Sequence, residues 1–207
     1  MVRLLGAFRR ERNGLVADTM HYDGERYGLN YGVSLATVRR IVRELEPQRD
    51  ESFARFLAGQ QVRCLQLAAL HLADDTAWSQ AEEAQEWLQR AQNSELAEEA
   101  AYALWSRTEW LHRLFERAVE DGSFYVCYTL IMAAARLPHP SVGYLEGSYR
   151  MLQRHDHRLM RQAVTALWAQ TANSGAEAKQ AVLARLATLE PAPYAAFLNE
   201  ELAWRIL

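Results

Sequence analysis

The 207 residues are enough to bury a sizeable core, as one domain or as one continuous repeat array. Half are apolar, Ala and Leu abound, and Pro numbers only five; this is the profile of a helical chain, and no apolar run approaches the roughly 20 residues of a membrane span. The net charge of −3 excludes a globally basic nucleic-acid binder and leaves that question to how the charge is distributed.

In chain order, Val2 to Arg12 reads as a helix with Leu4, Leu5 and Phe8 inward, stopped by Asn13-Gly14. Its amphipathic, charge-interrupted start does not read as a secretory signal. A short helix from Leu15 to His21 ends near Asp23-Gly24. The stretch Gly24 to Gly32, rich in Gly and Tyr and without helical period, reads as a structured loop. Ser34 caps a helix from Leu35 to Leu45, with Leu35, Val38, Ile41, Val42 and Leu45 on one face and Arg39, Arg40 and Arg43 off it; Pro47 ends it. Asp50 caps Glu51 to Ala58, and Gly59 breaks the chain before Gln61 to Ala73. That last run is strongly apolar, so its one charge, Arg63, needs a specific partner.

After the Asp74-Asp75-Thr76 turn, Ser79-x-x-Glu82 is a capping box opening Gln80 to Ala91. Asn93 or Ser94 caps a helix through Ser106. Thr108 caps Glu109 to Asp121, with a stop at Gly122. Ser123 caps Phe124 to Leu137, which is apolar nearly all round and therefore deeply buried. Pro138 and Pro140 form a rigid link to Val142–Arg154, opened by Ser141. His155-Asp156 turns into His157–Ala172, Ser174-x-x-Glu177 is a second box opening Ala176–Leu189, and Pro191 and Pro193 lead into Tyr194–Leu207. Helical pairs thus begin near Ser79, Thr108, Ser141 and Ser174. Units of roughly 30 to 35 residues, two antiparallel helices each, predict an all-α, right-handed α-solenoid of HEAT-like hairpins. No flexible linker divides it, so residues 1–207 read as a single domain.

The helix over Asn93–Ser106 carries the sharpest local signal. Leu96, Ala97, Ala100, Ala101 and Leu104 form its apolar face; Glu95, Glu99, Tyr102 and Ser106 lie opposite, with Glu98 at the edge. Two readings stand: a well-capped helix with a solvated face, or a carboxylate aimed into a groove. Arginines cluster at Arg9, Arg10, Arg12, Arg39, Arg40 and Arg43 and again at Arg150, Arg154, Arg158 and Arg161, flanking an acidic centre. They suit either an anionic strand gripped at its ends or ordinary solubilising surface. Tyr27, Tyr31, Asn30 and Arg26 suit a nucleic-acid groove or a loop packed on the first helices. His155-Asp-His157 falls short of a metal site on ligand count. The six tryptophans sit at helical spacing, as core or groove-edge packing. Cys64 and Cys127 lie within apolar patterns and read as buried, reduced thiols in a cytosolic protein. No cofactor motif is visible.

The stretch Asn30-Tyr-Gly-Val-Ser-Leu-Ala-Thr-Val-Arg-Arg-Ile-Val-Arg-Glu-Leu45 resembles the opening of the DNA alkylation repair family, HEAT-like alkylpurine DNA glycosylases. The resemblance continues through Ala58-Gly-Gln-Gln-Val-Arg-Cys-Leu-Gln-Leu-Ala-Ala69, and Asn13-Gly14, Met20, Gly24 and Tyr27 look like a branch of the same family. It implies a C-shaped array that holds DNA on its concave face. It further implies that a carboxylate, flanked by tryptophans, stabilises the cation left as a cationic N-alkylated purine departs.

Carried over residue by residue, the family's Trp-x-x-x-Asp falls on Ser94 to Glu98, so Glu98 is the implied catalytic carboxylate and serine replaces the tryptophan. An expected Arg falls near Cys127, and a second expected Trp near Ala166. The implied partner is double-stranded DNA, plain or alkylated, contacted by Tyr27, Tyr31, Arg39, Arg40, Arg43, Arg63, Arg150, Arg154, Arg158 and Arg161. The alternative is a non-enzymatic scaffold with a protein partner in its groove, which the acidic middle favours.

Overall fold

The computed structural model describes residues 1–22, 27–46, 48–190 and 192–206. Arg26, Asp23-Gly24 and the proline stops Pro47 and Pro191 lie outside the described residues. The side chains of His21, Tyr22 and Ala192 are also left undescribed.

Among the described residues the secondary structure is helical throughout, apart from one isolated parallel bridge between Leu29 and Val62. The helices are α1 (Val2–Arg10), α2 (Gly14–Tyr22), α3 (Leu35–Leu45), α4 (Glu51–Ala58), α5 (Arg63–Leu72), α6 (Ala81–Gln89), α7 (Ser94–Ala103), α8 (Trp110–Asp121), α9 (Phe124–Ala134), α10 (Gly143–Arg154), α11 (Arg158–Asn173), α12 (Ala176–Leu186) and α13 (Ala192–Ile206). No helix among these residues is long and apolar enough to cross a membrane. The chain divides into two compact units, Met1–Leu104 and Trp105–Leu207. Each is a stack of helical hairpins, the solenoid architecture that the periodicity predicts.

In the first unit α1, α3, α5 and α7 pack in sequence, each on the next, and α4 closes against α5. The apolar stripes meet along this row: Leu4 and Phe8, then Val38 and Ile41, then Leu65, Leu67 and Leu72, then Leu96 and Ala100, all buried. In the second unit α9, α11 and α13 form the corresponding row, and α8, α10 and α12 pair with them. As expected from its all-round apolar sequence, α9 is buried from Val126 to Ala134 on every face but that of Met132. Gly147 lets α10 approach α8: a Cβ there would sit 2.7 Å from Val119 Cγ2 and 3.0 Å from Phe115 Cε1, closer than packed atoms allow.

Several caps form as read. The Ser34 side chain accepts from Thr37 N–H, Asp50 from Phe53 N–H, and Asn93, not Ser94, from Leu96 N–H. Others differ. Glu83, not Glu82, closes the box of α6, accepting from the backbone N–H groups of Ser79 at 2.7 Å and Gln80 at 3.1 Å. The expected box at Ser174 does not form, because the Ser174 hydroxyl donates back to Thr171 O at the end of α11. Asn13 opens α2 as much as it ends α1, its side chain accepting from Val16 N–H. The loop beyond is pinned: Asn13 N–H donates to Tyr31 O, Leu29 N–H to Gln61 O, and Arg63 N–H to Leu29 O. Gly32 turns it with φ +66°, where a Cβ would lie 1.8 Å from Asn13 O, so only glycine fits.

Candidate nucleic-acid interface

The polar stripe of α7 makes the site. Glu95, Glu99 and Tyr102 fall at i, i+4 and i+7, on one side of the helix, and α7 packs on α5, which packs on α3. The stripe is not solvated along its whole length. Glu99 is only 1 % exposed, and both of its oxygens are taken. Arg39 of α3 donates Nε to Oε1 at 2.9 Å and Nη2 to Oε2 at 2.5 Å, and His71 Nε2 of α5 donates to Oε1 at 2.5 Å. Burial alone raises a carboxyl pKa. Here the hydrogen bonds from Arg39 and His71 outweigh it and hold Glu99 below the usual carboxylate range.

One turn earlier, Glu95 receives Arg63. The guanidinium Nε donates to Oε2 at 2.7 Å and Nη2 donates to Oε1, while Nη1 donates to Val33 O at 2.6 Å. Arg63 is 3 % exposed, so the lone charge of α5 has the specific partner its surroundings require. The Tyr27 hydroxyl completes this second group, donating to Glu95 Oε2 at 2.6 Å and lying 3.3 Å from Asn93 Oδ1. Burial first, then the adjacent Glu95 charge, pushes the Tyr27 phenol pKa upward, so it remains a donor. Tyr31 is half-buried and accepts from Arg9 Nε at 3.1 Å. Both tyrosines thus anchor the loop.

Beside the Glu99 group lies a hollow of about 330 Å³, lined by Arg39, Val42, Arg43, Glu46, Gln48, Arg49, His71, Leu72 and Tyr102. Arg43 is exposed and has no ion-pair partner among the described residues. Arg49 meets Asp75 at 3.3 Å. Sequence reasoning passed over His71, Arg49 and Tyr102. Tyr102 was legible as a member of the polar stripe; the other two converge on the hollow only through the packing of α3, α5 and α7.

The remaining arginines divide by surroundings. Arg40 is exposed and held by Glu11 and Glu44, each at 3.0 Å. Arg150 pairs with Glu120 at 3.2 Å, and Arg161 with Asp156 at 2.7 Å. Arg158, the first residue of α11, is exposed and without an ion pair among the described residues.

Arg154 has a structural task. Its Nη1 donates to Val119 O and Glu120 O and its Nη2 to Ala118 O and Gly122 O, over 2.7–3.1 Å. These carbonyls lie in the last turn of α8 and at its C-cap; Ala118 O also accepts from Gly122 N–H. Arg154 Nη2 also lies 3.2 Å from Cys127 Sγ. His155 Nε2 sits 2.9 Å from Gly122 O and 3.2 Å from Arg154 Nε. One ring nitrogen cannot serve as donor to the first and acceptor from the second. The shorter contact to the carbonyl places the proton on Nε2.

Glu98, the implied catalytic carboxylate, is exposed on α7, one residue off the stripe. The carboxylates drawn into the polar groups are its neighbours Glu95 and Glu99. Trp168 is fully buried and donates to Ser148 Oγ at 3.0 Å, a core residue. His157 accepts from Leu159 N–H and caps α11, and no group of three or more His, Cys, Asp or Glu among the described residues is placed to hold a metal ion. Both cysteines are free and buried.

No family model matches the chain, and no curated protein does. The fold has a solved counterpart. A structure described as belonging to "a new family of proteins related to the HEAT-like repeat DNA glycosylases with affinity for branched DNA structures" matches with a TM-score of 0.71 at 12 % identity. The match covers 98 % of this chain and 94 % of that one. The fold is therefore the HEAT-like repeat fold. At that identity the likeness speaks for architecture alone.

Proposed function

We propose that this chain binds DNA without reading its sequence, that branched DNA is its preferred form, and that the arginine-lined hollow of the first unit is a principal contact. The observation that carries the reading is the convergence of Arg39, Arg43 and Arg49 from α3 and the segment after it onto one small hollow. Guanidiniums so placed suit phosphate oxygens and position a nucleic acid without consulting its bases. The near-complete structural match to a protein with affinity for branched DNA supports the choice of substrate. Tyr31, Arg40, Arg150, Arg158 and Arg161 are secondary contacts in this account. Tyr27, Arg63 and Arg154 hold the framework instead.

Catalysis is not part of the proposal. An exposed carboxylate such as Glu98 is screened by water, whereas stabilising a growing cation requires a dry, fixed charge. Serine at position 94 also removes the aromatic neighbour that the family resemblance implies. DNA carrying N3- or N7-methylpurines is therefore expected to keep its bases when incubated with the protein; release abolished by Glu98→Gln would establish the enzyme reading. One observation favours the alternative, a protein partner: Arg39, Arg40, Arg150 and Arg161 already have carboxylate partners. Competition between a four-way junction and an intact duplex decides. The junction should win, and Arg43→Ala should weaken both. Failure of either DNA to bind at low salt leaves the protein-partner reading.

A further inference from the structure

The hollow between α3, α5 and α7 presents an aromatic ring among its guanidiniums, and the approach is closer than where Arg90, Arg113 and Arg161 lie 5.0–5.5 Å from Trp87, Trp110 and Phe197. Tyr102 stands in the last turn of α7, lines the hollow and keeps 50 % of its surface exposed. The Arg39 guanidinium lies over that ring, 4.2 Å from its centroid. Glu99 fixes the guanidinium at its edge through Nε and Nη2. Ring and guanidinium are thus two flat groups stacked in advance, held by a carboxylate that is itself buried. A third flat group can join such a stack with little further ordering.

Size and charge narrow what that group is. A volume of about 330 Å³ is at the small-ligand end of binding sites, and a duplex cannot enter it. Among the described residues Arg43 has no carboxylate partner, and Arg49 has one, Asp75, through Nη1 at 3.3 Å. Both are available to a phosphate. Glu46 is the one carboxylate in the lining. It can only accept hydrogen bonds, so it suits the exocyclic amine of a base and repels a phosphate.

We propose that this hollow receives one unstacked nucleotide of a branched or gapped DNA, its base against the Tyr102–Arg39 stack and its phosphate against Arg43 and Arg49. The inference rests on the DNA-binding reading above and says what distinguishes branched from intact DNA at this site. A nucleotide at a discontinuity has already lost a stacking neighbour, and an intact duplex offers none.

The test uses two duplexes of one sequence, one intact and one with a single-nucleotide gap flanked by 2-aminopurine. Both are titrated by fluorescence anisotropy with the wild-type protein and with Tyr102→Ala, Tyr102→Phe and Arg43→Ala. The wild type should prefer the gapped duplex and change the 2-aminopurine emission. Tyr102→Ala should weaken gapped DNA about fivefold or more beyond its effect on intact DNA, the loss of one base–aromatic stack, and Tyr102→Phe should keep the preference. Arg43→Ala should weaken the gapped complex and flatten its salt dependence by about one in the logarithmic slope. Equal effects of Tyr102→Ala on both duplexes, or none, overturn the proposal while leaving DNA binding intact. A chain that binds neither duplex ends both. Free dAMP is the last arm: displacement of gapped DNA at concentrations matching the oligonucleotide would assign the hollow to a free nucleotide instead.

Discussion

Replacing Glu99 by Gln tests the polar group on which the hollow is built. The substitution keeps the shape and removes the charge. An amide oxygen in the Oε1 position can still accept from Arg39 Nε and His71 Nε2, but the amide nitrogen then points a donor at Arg39 Nη2. Removing one partner of a buried ion pair costs about 3–5 kcal/mol. Glu99 meets the burial condition at 1 % exposure, whereas the Arg39 side chain is 35 % exposed and can turn to water. The cost should therefore sit at or just below the low end, about 2–3 kcal/mol. In urea that is a fall in midpoint on the order of 1 M. The exposed pair of Arg40 with Glu11 and Glu44 is the control, and Arg40→Ala should cost under about 1 kcal/mol. Coupling should also be visible: Arg39→Met combined with Glu99→Leu should cost less than the sum of the two single changes, because neither charge is left alone. A Glu99→Gln loss no larger than that of Arg40→Ala would refute the reasoning, since it would mean the carboxylate sits in water.

Arg63→Met should be more damaging, about 3–5 kcal/mol by equilibrium unfolding, because both Arg63 and its partner Glu95 are shielded and Val33 O loses its donor as well. Arg154→Ala should fray the last turn of α8, read as faster amide exchange around Val119–Gly122. In the intact protein burial pushes both thiols up, Cys64 to about 12, so neither should react with a disulfide reagent at neutral pH until the chain unfolds. Stability should fall in acid. Hydrogen bonding holds Asp50, Glu83, Glu86, Glu99 and Asp156 below their ordinary values. Their contribution is present in full above the ordinary carboxylate range and is lost as pH falls through the depressed folded values. A melting temperature flat from pH 6 to pH 3 would contradict this.

The helices were legible because their signals are local. Leu35–Leu45 and Glu51–Ala58 match residue for residue, since Ser34 and Asp50 cap within three residues of themselves. The box at α6 lies one residue on, because the helix starts from Gln80 as N-cap and not from Ser79, which puts Glu83 at the third position. The stripe Glu95–Glu99–Tyr102 was visible as a face, but the burial of Glu99 within it was not. Glu99 is covered by Arg39, sixty residues earlier, and by His71, and no periodicity encodes such a meeting. The same holds for Arg154. Its spacing to Arg150 and Arg158 suggested phosphate contacts, whereas the carbonyls it caps belong to a helix more than thirty residues back.

If the arginines gathered on the first unit meet a polyanion, the affinity for DNA must fall as salt rises. Two phosphate contacts at Arg43 and Arg49 contribute about −2 to the slope of log K against log salt, so the plot for a four-way junction should be at least that steep and lie above that of an intact duplex throughout. A slope near zero, or no measurable binding of either DNA at low salt, would contradict the account.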